Sequence, residues 1–542
     1  MGRCSTMTSD QEGPLATAAA PPPLPPPPPL SHDEAEEAGG RFRVVIVGGG
    51  PAGLLMAHML ERAGVDWVVL ERRPSGGVLE GAALALWPSS SRVLDQLGLL
   101  ADVEAMHMPL RDKYNIRRDG SLVAKSNMME RIGHNHGYAF TFVDRQKLVD
   151  LLRRRLPGQE RVLGNKAVVA IESTATGVNV SCADGSSVRG AIVVGCDGVR
   201  SVVRRLMADP ATFPGQQPDK RWKGRDRAAG KGGRDDGVMK ADYMGLVGHC
   251  PRPKDVPPET VWEERETGLS VTIMAGPDDL YFFVYKNRRD WLAQKQAAEA
   301  ADGKKRGAAV EAGGDSNDDS DDSSNSTSSG NKGWGVYTIE DAETLAAEVA
   351  DRPVVAGGAV TFGDVWAART RASMLDFEEG MAPHWHRGRL VLASDAAVKM
   401  MPNAAFGLNT GIQGMVELTN RLRGLLLQHQ GGVAAAAAAD PDETRLAVEV
   451  FAPYEKARRA TAEFVSNFSW GYTRTVTWAN LMWRLVDALG PYLGGDAGML
   501  DRLVAPVIRE SIVLDFAGES DHRVGKIPWQ VGRVVGPTAT GA

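Results

Sequence analysis

Cysteine is scarce in this chain. The four present, Cys4, Cys182, Cys196 and Cys250, form no CxxC pair and no His/Cys ligand set. That excludes a disulfide framework and a structural zinc site, and it fits a reducing compartment. Charge of one sign is also missing. The 62 basic and 68 acidic residues leave a formal charge of −6, which gives no electrostatic reason to expect a nucleic-acid partner. Long apolar runs are absent as well. The most apolar late stretch, "TVTWANLMW", is bounded by Arg474 and Arg484. It falls far short of the roughly 20 residues that cross a bilayer, so no transmembrane segment is read. The N-terminus lacks a basic stretch followed by an apolar one, so no signal peptide is expected and the sequons at Asn325 and Asn467 carry little meaning. A cytoplasmic location follows, with peripheral membrane contact left open.

What remains is ordinary globular composition, 43% apolar and 24% charged over 542 residues, enough for two or three domains. Residues 1–40 read as a disordered tail, because "PPPLPPPPPL" favours polyproline II and "HDEAEEAGG" has too little apolar surface to pack. Asp219 to Asp236 reads as a polar surface loop. Residues 292–333, with "GGDSNDDSDDSSNSTSSGNKG", read as a disordered insertion, and the alanine run before Asp440 as a spacer or low-complexity helix. Buried strands are expected at Arg43–Val47, Asp66–Leu70 and Leu390–Ala393, with a helix from Gly53 to Ala63. "SVTIMAG" and "LYFFVY", separated by Pro277-Asp278-Asp279, give a hairpin, and "TVWEERE" a neighbouring strand. Helices dominate after Gly411, the first opening after Asn409.

Two segments carry chemistry. In "VVIVGGGPAGLLMAHMLERAGVDWVVLER", Gly48, Gly50 and Gly53 stand between a strand and a helix, and Glu71 closes the next strand. Gly48 permits the tight turn, Gly50 lets backbone approach a pyrophosphate, and Gly53 lets the helix lie close to the strand. The helix N-terminus presents free N–H groups to phosphate, and Glu71 stands where a carboxylate accepts from ribose hydroxyls. The unit is a dinucleotide-binding fingerprint. The other segment is "GRLVLASDAAVKMMPNAAFGLNTG", an apolar strand cut short at Asp395 and followed by a Pro-Asn turn.

With "AIVVGCDGVRSVVRR" between them, these segments make the chain resemble the group A flavoprotein monooxygenases, the p-hydroxybenzoate-hydroxylase-like enzymes. Within that group it looks most like the fungal FAD-dependent epoxidases and hydroxylases of secondary metabolism, which act on prenylated indole or meroterpenoid scaffolds. "WPSSSRVLDQLGL", "FVDRQKLVDLL", "ADYMGLVG" and "VTFGDVWAAR" support the match, which covers roughly residues 41–290 and 335–480. The implied fold is α/β: a Rossmann-type FAD-binding domain, an antiparallel-sheet substrate domain and a mainly helical C-terminal region. The expected boundaries are 41–235 and 381–430 for the FAD-binding parts, 236–291 and 334–380 for the substrate sheet, and 431–542 for the C-terminal region.

The resemblance also assigns residues. Glu71 would bind the adenosine ribose, Arg145 would contact FAD, and Asp197 would serve both FAD and a visiting NAD(P)H. Asp395 would hold the ribityl chain, with backbone near Gly407, Leu408 and Asn409 facing the flavin pyrimidine. Arg200 and Tyr243 resemble catalytic positions of the fungal branch, and each is equally readable as a structural hydrogen-bonder. No metal is called for. The strands "LYFFVY" and "VWEE" would wall a cavity for a small apolar substrate, or simply pack the sheet. The implied reaction takes electrons from NAD(P)H and oxygen from O2 to epoxidise or hydroxylate that substrate.

The late segment departs from the family pattern. Ser394 replaces the usual Gly, Val398 a His, and Ala405-Phe406-Gly407-Leu408-Asn409 the usual Gly-Gln-Gly-Ala-Asn. Gln413-Gly414 replaces an acidic pair, and Ala85 stands where Gly is usual. The added Cβ atoms matter where backbone adopts positive φ or approaches the flavin. Drift, a reshaped pocket and lost turnover are all compatible with them. A non-catalytic flavoprotein and an FAD-dependent reductase or dehydrogenase are therefore the alternatives.

Overall fold

The computed structural model describes residues 42–74, 83–174, 176–214, 238–297, 300, 337–428 and 441–538. The N-terminal tail, the Asp219–Asp236 loop, most of the polar insertion and the alanine run lie outside the described residues.

Valine-rich runs build the first sheet. Its six strands lie in the order 386–387, 390–392, 192–195, 43–47, 66–70 and 162–163. All pairs are parallel except that of 386–387 with 390–392. Val44, Val45 and Ile46 are fully buried, as expected of a central parallel strand covered on both faces. The Pro51–Ala63 helix follows the first strand, starting two residues earlier than the sequence suggests because Pro51 suits a first helical position. It packs against the Gly407–Leu427 helix.

The second large sheet has eight strands in the order 398–399, 371–381, 240–251, 279–287, 269–275, 260–266, 112–116 and 122–126. The expected hairpin is present, Leu269–Ala275 against Asp279–Asn287, and Thr260–Glu266 pairs beside it. Two strands from early in the chain, Asp112–Ile116 and Leu122–Ser126, extend its far edge. The period-2 alternation divides this sheet's faces. Phe282 and Val284 belong to a core with Phe362 and Trp366, while Phe283 and Tyr285 face the first sheet's core. A helix over 288–297 continues into the segment expected to be disordered from residue 292.

The C-terminal helices end at Arg509. The stretch from 511 to 538, interrupted by Gly518, Gly525, Pro528, Gly532, Gly536 and Pro537, takes no regular helix and lies along the Pro88–Gln96 helix. Its anchor is a buried ion pair between Arg92 and Glu519, at 2.7 Å with both side chains fully enclosed. The Gln96 side chain also exchanges hydrogen bonds with the Leu514 backbone.

Candidate active site

One cavity of about 620 Å³ runs between the two large sheets. The glycine turn opens it. Gly48 sits at φ +107°, and a Cβ there would meet the Cys196 carbonyl at 2.6 Å. A Cβ on Gly53 would lie 1.9 Å from the Gly48 carbonyl oxygen, so only glycine lets the helix approach. A Cβ on Gly50 would meet nothing within 4 Å, because that residue faces open cavity. Glu71 borders the same space. Its Oε2 accepts from the Gly49 N–H at 2.6 Å and its Oε1 from the Arg73 N–H at 2.9 Å. Arg72, Arg73, Arg145, Lys166 and Arg205 also line the cavity, a cationic rim that suits a pyrophosphate.

Asp197 caps the Val202–Ala208 helix, accepting from Val202 N at 2.6 Å and Val203 N at 3.1 Å through Oδ2. Its Oδ1 is buried with no hydrogen-bond partner among the described residues. Burial pushes this carboxyl above the usual range against the pull of Ser201 and the backbone amides. Gly198 follows at φ +78°. Arg204 then ties this segment to the late one, donating to the Ala396 carbonyl at 2.9 Å and the Val199 carbonyl at 2.6 Å.

The late segment ends its strand at Leu392 and turns through Asp395. Asp395 lines the cavity and pairs with Lys399 Nζ at 2.6 Å, a partner the sequence reading missed. Ser394 and Ala405 both adopt left-handed backbone, at φ +54° and +57°. These are two of the positions where the family pattern carries glycine. The helix opens at Gly407, three residues before the expected start. No side chain among the described residues caps it, which leaves the amides of its first turn free beside the cavity that Gly407 and Leu408 line. The Asn409 side chain turns away from the cavity and clamps the turn. Its Oδ1 accepts from Trp87 N at 2.8 Å and Ser90 Oγ at 2.6 Å, and its Nδ2 donates to the Ala85 and Ala405 carbonyls at 2.8 and 2.7 Å. Asn403 Nδ2 is buried without a partner among the described residues.

The two residues proposed for chemistry sit differently. Arg200 lines the cavity with its side chain 47% exposed, and lies 3.6 Å from Glu378 Oε1. Tyr243 is buried and outside the cavity lining. Its hydroxyl shares a 2.8 Å hydrogen bond with Thr477 Oγ1, and the Arg474 guanidinium lies 5.5 Å from its ring centre. Of the "LYFFVY" and "VWEE" strands, Phe283, Tyr285, Val261 and Glu263 line the cavity; their neighbours face the other way. Lys113 and Tyr472 complete that wall, and the sequence reading singled out neither.

A cavity threaded from a first strand–turn–helix to a late strand–turn–helix, and roofed by a separate sheet, defines a flavin-dependent oxygenase. The chain belongs to that family: the FAD binding domain family matches residues 41–226 and 361–447. The FAD-dependent monooxygenase srdH of Neurospora crassa is 30% identical over 497 residues, 89% of this chain and 97% of its own. The FAD-dependent monooxygenase dpchE of Colletotrichum higginsianum is 31% identical over 384 residues, 69% of this chain and 70% of its own. Among solved structures, Klebsiella pneumoniae HpxO complexed with FAD and uric acid shares the fold, with a TM-score of 0.59 at 19% identity over 86% of this chain and 97% of that one.

The protein is an FAD-dependent monooxygenase. Its residues fit the cofactor: the space before Gly50, the orphaned Asp197 oxygen, the cationic rim and the uncapped helix at Gly407 all match a bound dinucleotide's needs. Bound FAD supplies the redox and oxygen chemistry. Glu71 and Asp395 would hold its two sugar-like chains, and the Gly407 helix dipole would favour negative charge at the ring edge.

Proposed function

We propose that this monooxygenase uses NAD(P)H and O2 to epoxidise or hydroxylate an apolar intermediate of secondary metabolism, either prenylated, terpenoid or aromatic. Two electrons and a proton source come from the nicotinamide and solvent; one oxygen atom enters the substrate and the other leaves as water. In this reading residues 41–235 and 381–430 hold the cofactor, apart from the strands 112–116 and 122–126, which join 236–291 and 334–380 in covering the substrate. The observation that carries the proposal is continuity of the cavity. Gly50, Asp395 and Leu408 share it with Val261, Met274, Phe283 and Phe468, so an apolar body fits against the cofactor end while the covering sheet excludes water.

The test is turnover of a panel of prenylated indoles and terpenoid alkenes with NADPH under oxygen-18 gas. Incorporation of one labelled oxygen per product is expected. NADPH oxidation with an unlabelled, desaturated or reduced product would instead mark a dehydrogenase or reductase.

Such a substrate partitions into bilayers, and the proposal includes peripheral membrane contact. Among the described residues no helix is long and apolar enough to cross a membrane. The Leu481–Leu489 helix nevertheless exposes Leu481 at 72%, with Met482, Leu485, Val486 and Leu489 on one face and Tyr492 and Leu493 just beyond. Met499, Leu500 and Val504, a few residues later, line the cavity. Flotation with phosphatidylcholine vesicles should carry the protein, and Leu485→Glu should abolish that.

A further inference from the structure

The cavity wall contributed by the eight-stranded sheet combines Val261, Met274 and Phe283 with Thr272, Lys399 and one buried polar cluster. Lys113 and Glu263, on neighbouring strands, are buried and both line the cavity. Tyr472, from the Ala452–Val476 helix, joins them: Lys113 Nζ donates to the Tyr472 hydroxyl at 2.8 Å, which donates to Glu263 Oε2 at 2.8 Å. Behind them, Lys113 lies 3.1 Å from Asp496 and Arg265 donates to Glu263 Oε1 at 2.7 Å while pairing with Asp487. Burial alone would lower the Lys113 pKa, but Asp496 and Glu263 hold it well above its usual value. Burial would raise Glu263, but Lys113 and Arg265 hold it below the usual range. Both are therefore charged, and the carboxylates outnumber the cations.

These bonds by themselves could simply pin the C-terminal helices to the sheet. Tyr285 is the member that such a role does not use. It lines the same wall, is 2% exposed, and its hydroxyl takes no part in the cluster's hydrogen bonds. Burial, with Glu263 and Tyr472 nearby, pushes its pKa up, so it remains a donor. That O–H borders the cavity, where an oxygen on a bound molecule can accept from it in place of water. The cluster also reaches the cofactor end. Trp87 stacks on Phe406 at 5.0 Å, Phe468 meets Phe406 edge-on at 5.9 Å, and Phe468 stacks on Tyr472 at 6.4 Å. This aromatic row leads from the turn after Asp395 to the hydroxyl network.

We propose that Tyr285, supported by Lys113, Tyr472 and Glu263, binds one uncharged oxygen, a hydroxyl or carbonyl, on an otherwise apolar substrate. That anchor sets which carbon of the substrate faces the turn at residues 403–408. The excess of carboxylates disfavours a carboxylate head. The proposal rests on the monooxygenase reading for what happens at that turn, but the binding step does not.

The experiment uses three probes with one hydrocarbon body: farnesene, farnesol and farnesoic acid. Binding is followed by tryptophan fluorescence, since Trp87 lines the cavity, and FAD content is recorded on each sample. Wild type should bind farnesol about ten-fold tighter than farnesene, and farnesoic acid no tighter than farnesol. Tyr285→Phe should bring the farnesol-to-farnesene ratio close to one while leaving farnesene binding and FAD content unchanged. A merely structural cluster would leave that ratio unmoved. An unchanged ratio in Tyr285→Phe, a ratio near one in wild type (no measurable binding included), or tightest binding of the acid overturns the proposal. Should Tyr285→Phe not fold, Tyr472→Phe carries the same expected fall. A protein without FAD would fail the monooxygenase reading alone, because the ratio still reports on the cluster.

Discussion

The glycine turn at Gly48–Gly53 and the late turn at Ser394–Asn409 border the same cavity, yet they reach their shapes by different means. The early turn uses glycine where φ is +107° and where a Cβ would strike backbone at 1.9 Å. The late turn puts Ser394 and Ala405 into left-handed backbone that side chains disfavour. It is held there from outside. Asn409 makes four hydrogen bonds across the turn, Arg204 grips the Ala396 carbonyl, and the Tyr454 hydroxyl donates to the Leu392 carbonyl. Gly411 makes room for Ser394, since a Cβ there would lie 2.4 Å from Ser394 Oγ. Where spare contacts surround a turn, local strain is tolerated. Where the obstacle is backbone itself, only glycine serves.

The comparison can be broken at its strongest point first. Gly53→Ala forces a Cβ into the Gly48 carbonyl, and should cost about 3 kcal/mol in chemical denaturation together with FAD binding. A variant that keeps both would mean the early turn is as adaptable as the late one. Asn409→Ala should come next, at about 2–3 kcal/mol, with weaker FAD retention, because it leaves the Trp87 amide and the Ala85 and Ala405 carbonyls without their bonds.

A control outside both turns is His136. It is fully buried, neither ring nitrogen has a hydrogen-bond partner among the described residues, and burial pushes its pKa down to about 4 against the pull of Asp501. The unfolded chain binds a proton there below about pH 6.5, while the folded chain does not until about pH 4. Stability should therefore fall on acidification, by about 2 kcal/mol from about pH 7 to about pH 5. His136→Phe should flatten that slope without changing FAD content, and an unchanged slope would remove His136 as its source. The smallest effect runs the other way. Ala405→Gly and Ser394→Gly should each stabilise the fold by about 1 kcal/mol, seen as a small rise in melting temperature. The same substitution logic that harms the early turn would thus relieve the late one.

Legibility in the sequence followed locality. The first strand, the glycines and Glu71 lie in one continuous stretch, and each has a fixed task, so they could be read directly. The pairing of Asp395 with Lys399 is local too, but nothing in the pattern marks Lys399 as its partner. The start of the late helix at Gly407 was obscured because no capping side chain announces it. The Lys113, Glu263, Tyr285 and Tyr472 cluster was beyond reach for another reason. It depends on which face each strand presents and on the parallel pairing of residues 112–116 with 260–266, and one residue of slip would turn those side chains away. "LYFFVY" and "VWEE" pointed to the right wall, yet could not say that only alternate residues line it. The placement of Tyr243 beside Thr477 likewise depends on a helix more than two hundred residues away.

Both turns, strained and unstrained, are expected to hold one FAD in this cavity. The most direct measurement is a titration of the purified, flavin-depleted protein with FAD, followed by its visible spectrum and then by anaerobic addition of NADPH. Saturable binding of one FAD per chain and bleaching of the bound flavin by NADPH are expected. A protein that neither binds nor is stabilised by FAD would contradict this, and would leave a flavoenzyme fold whose late turn no longer serves the cofactor.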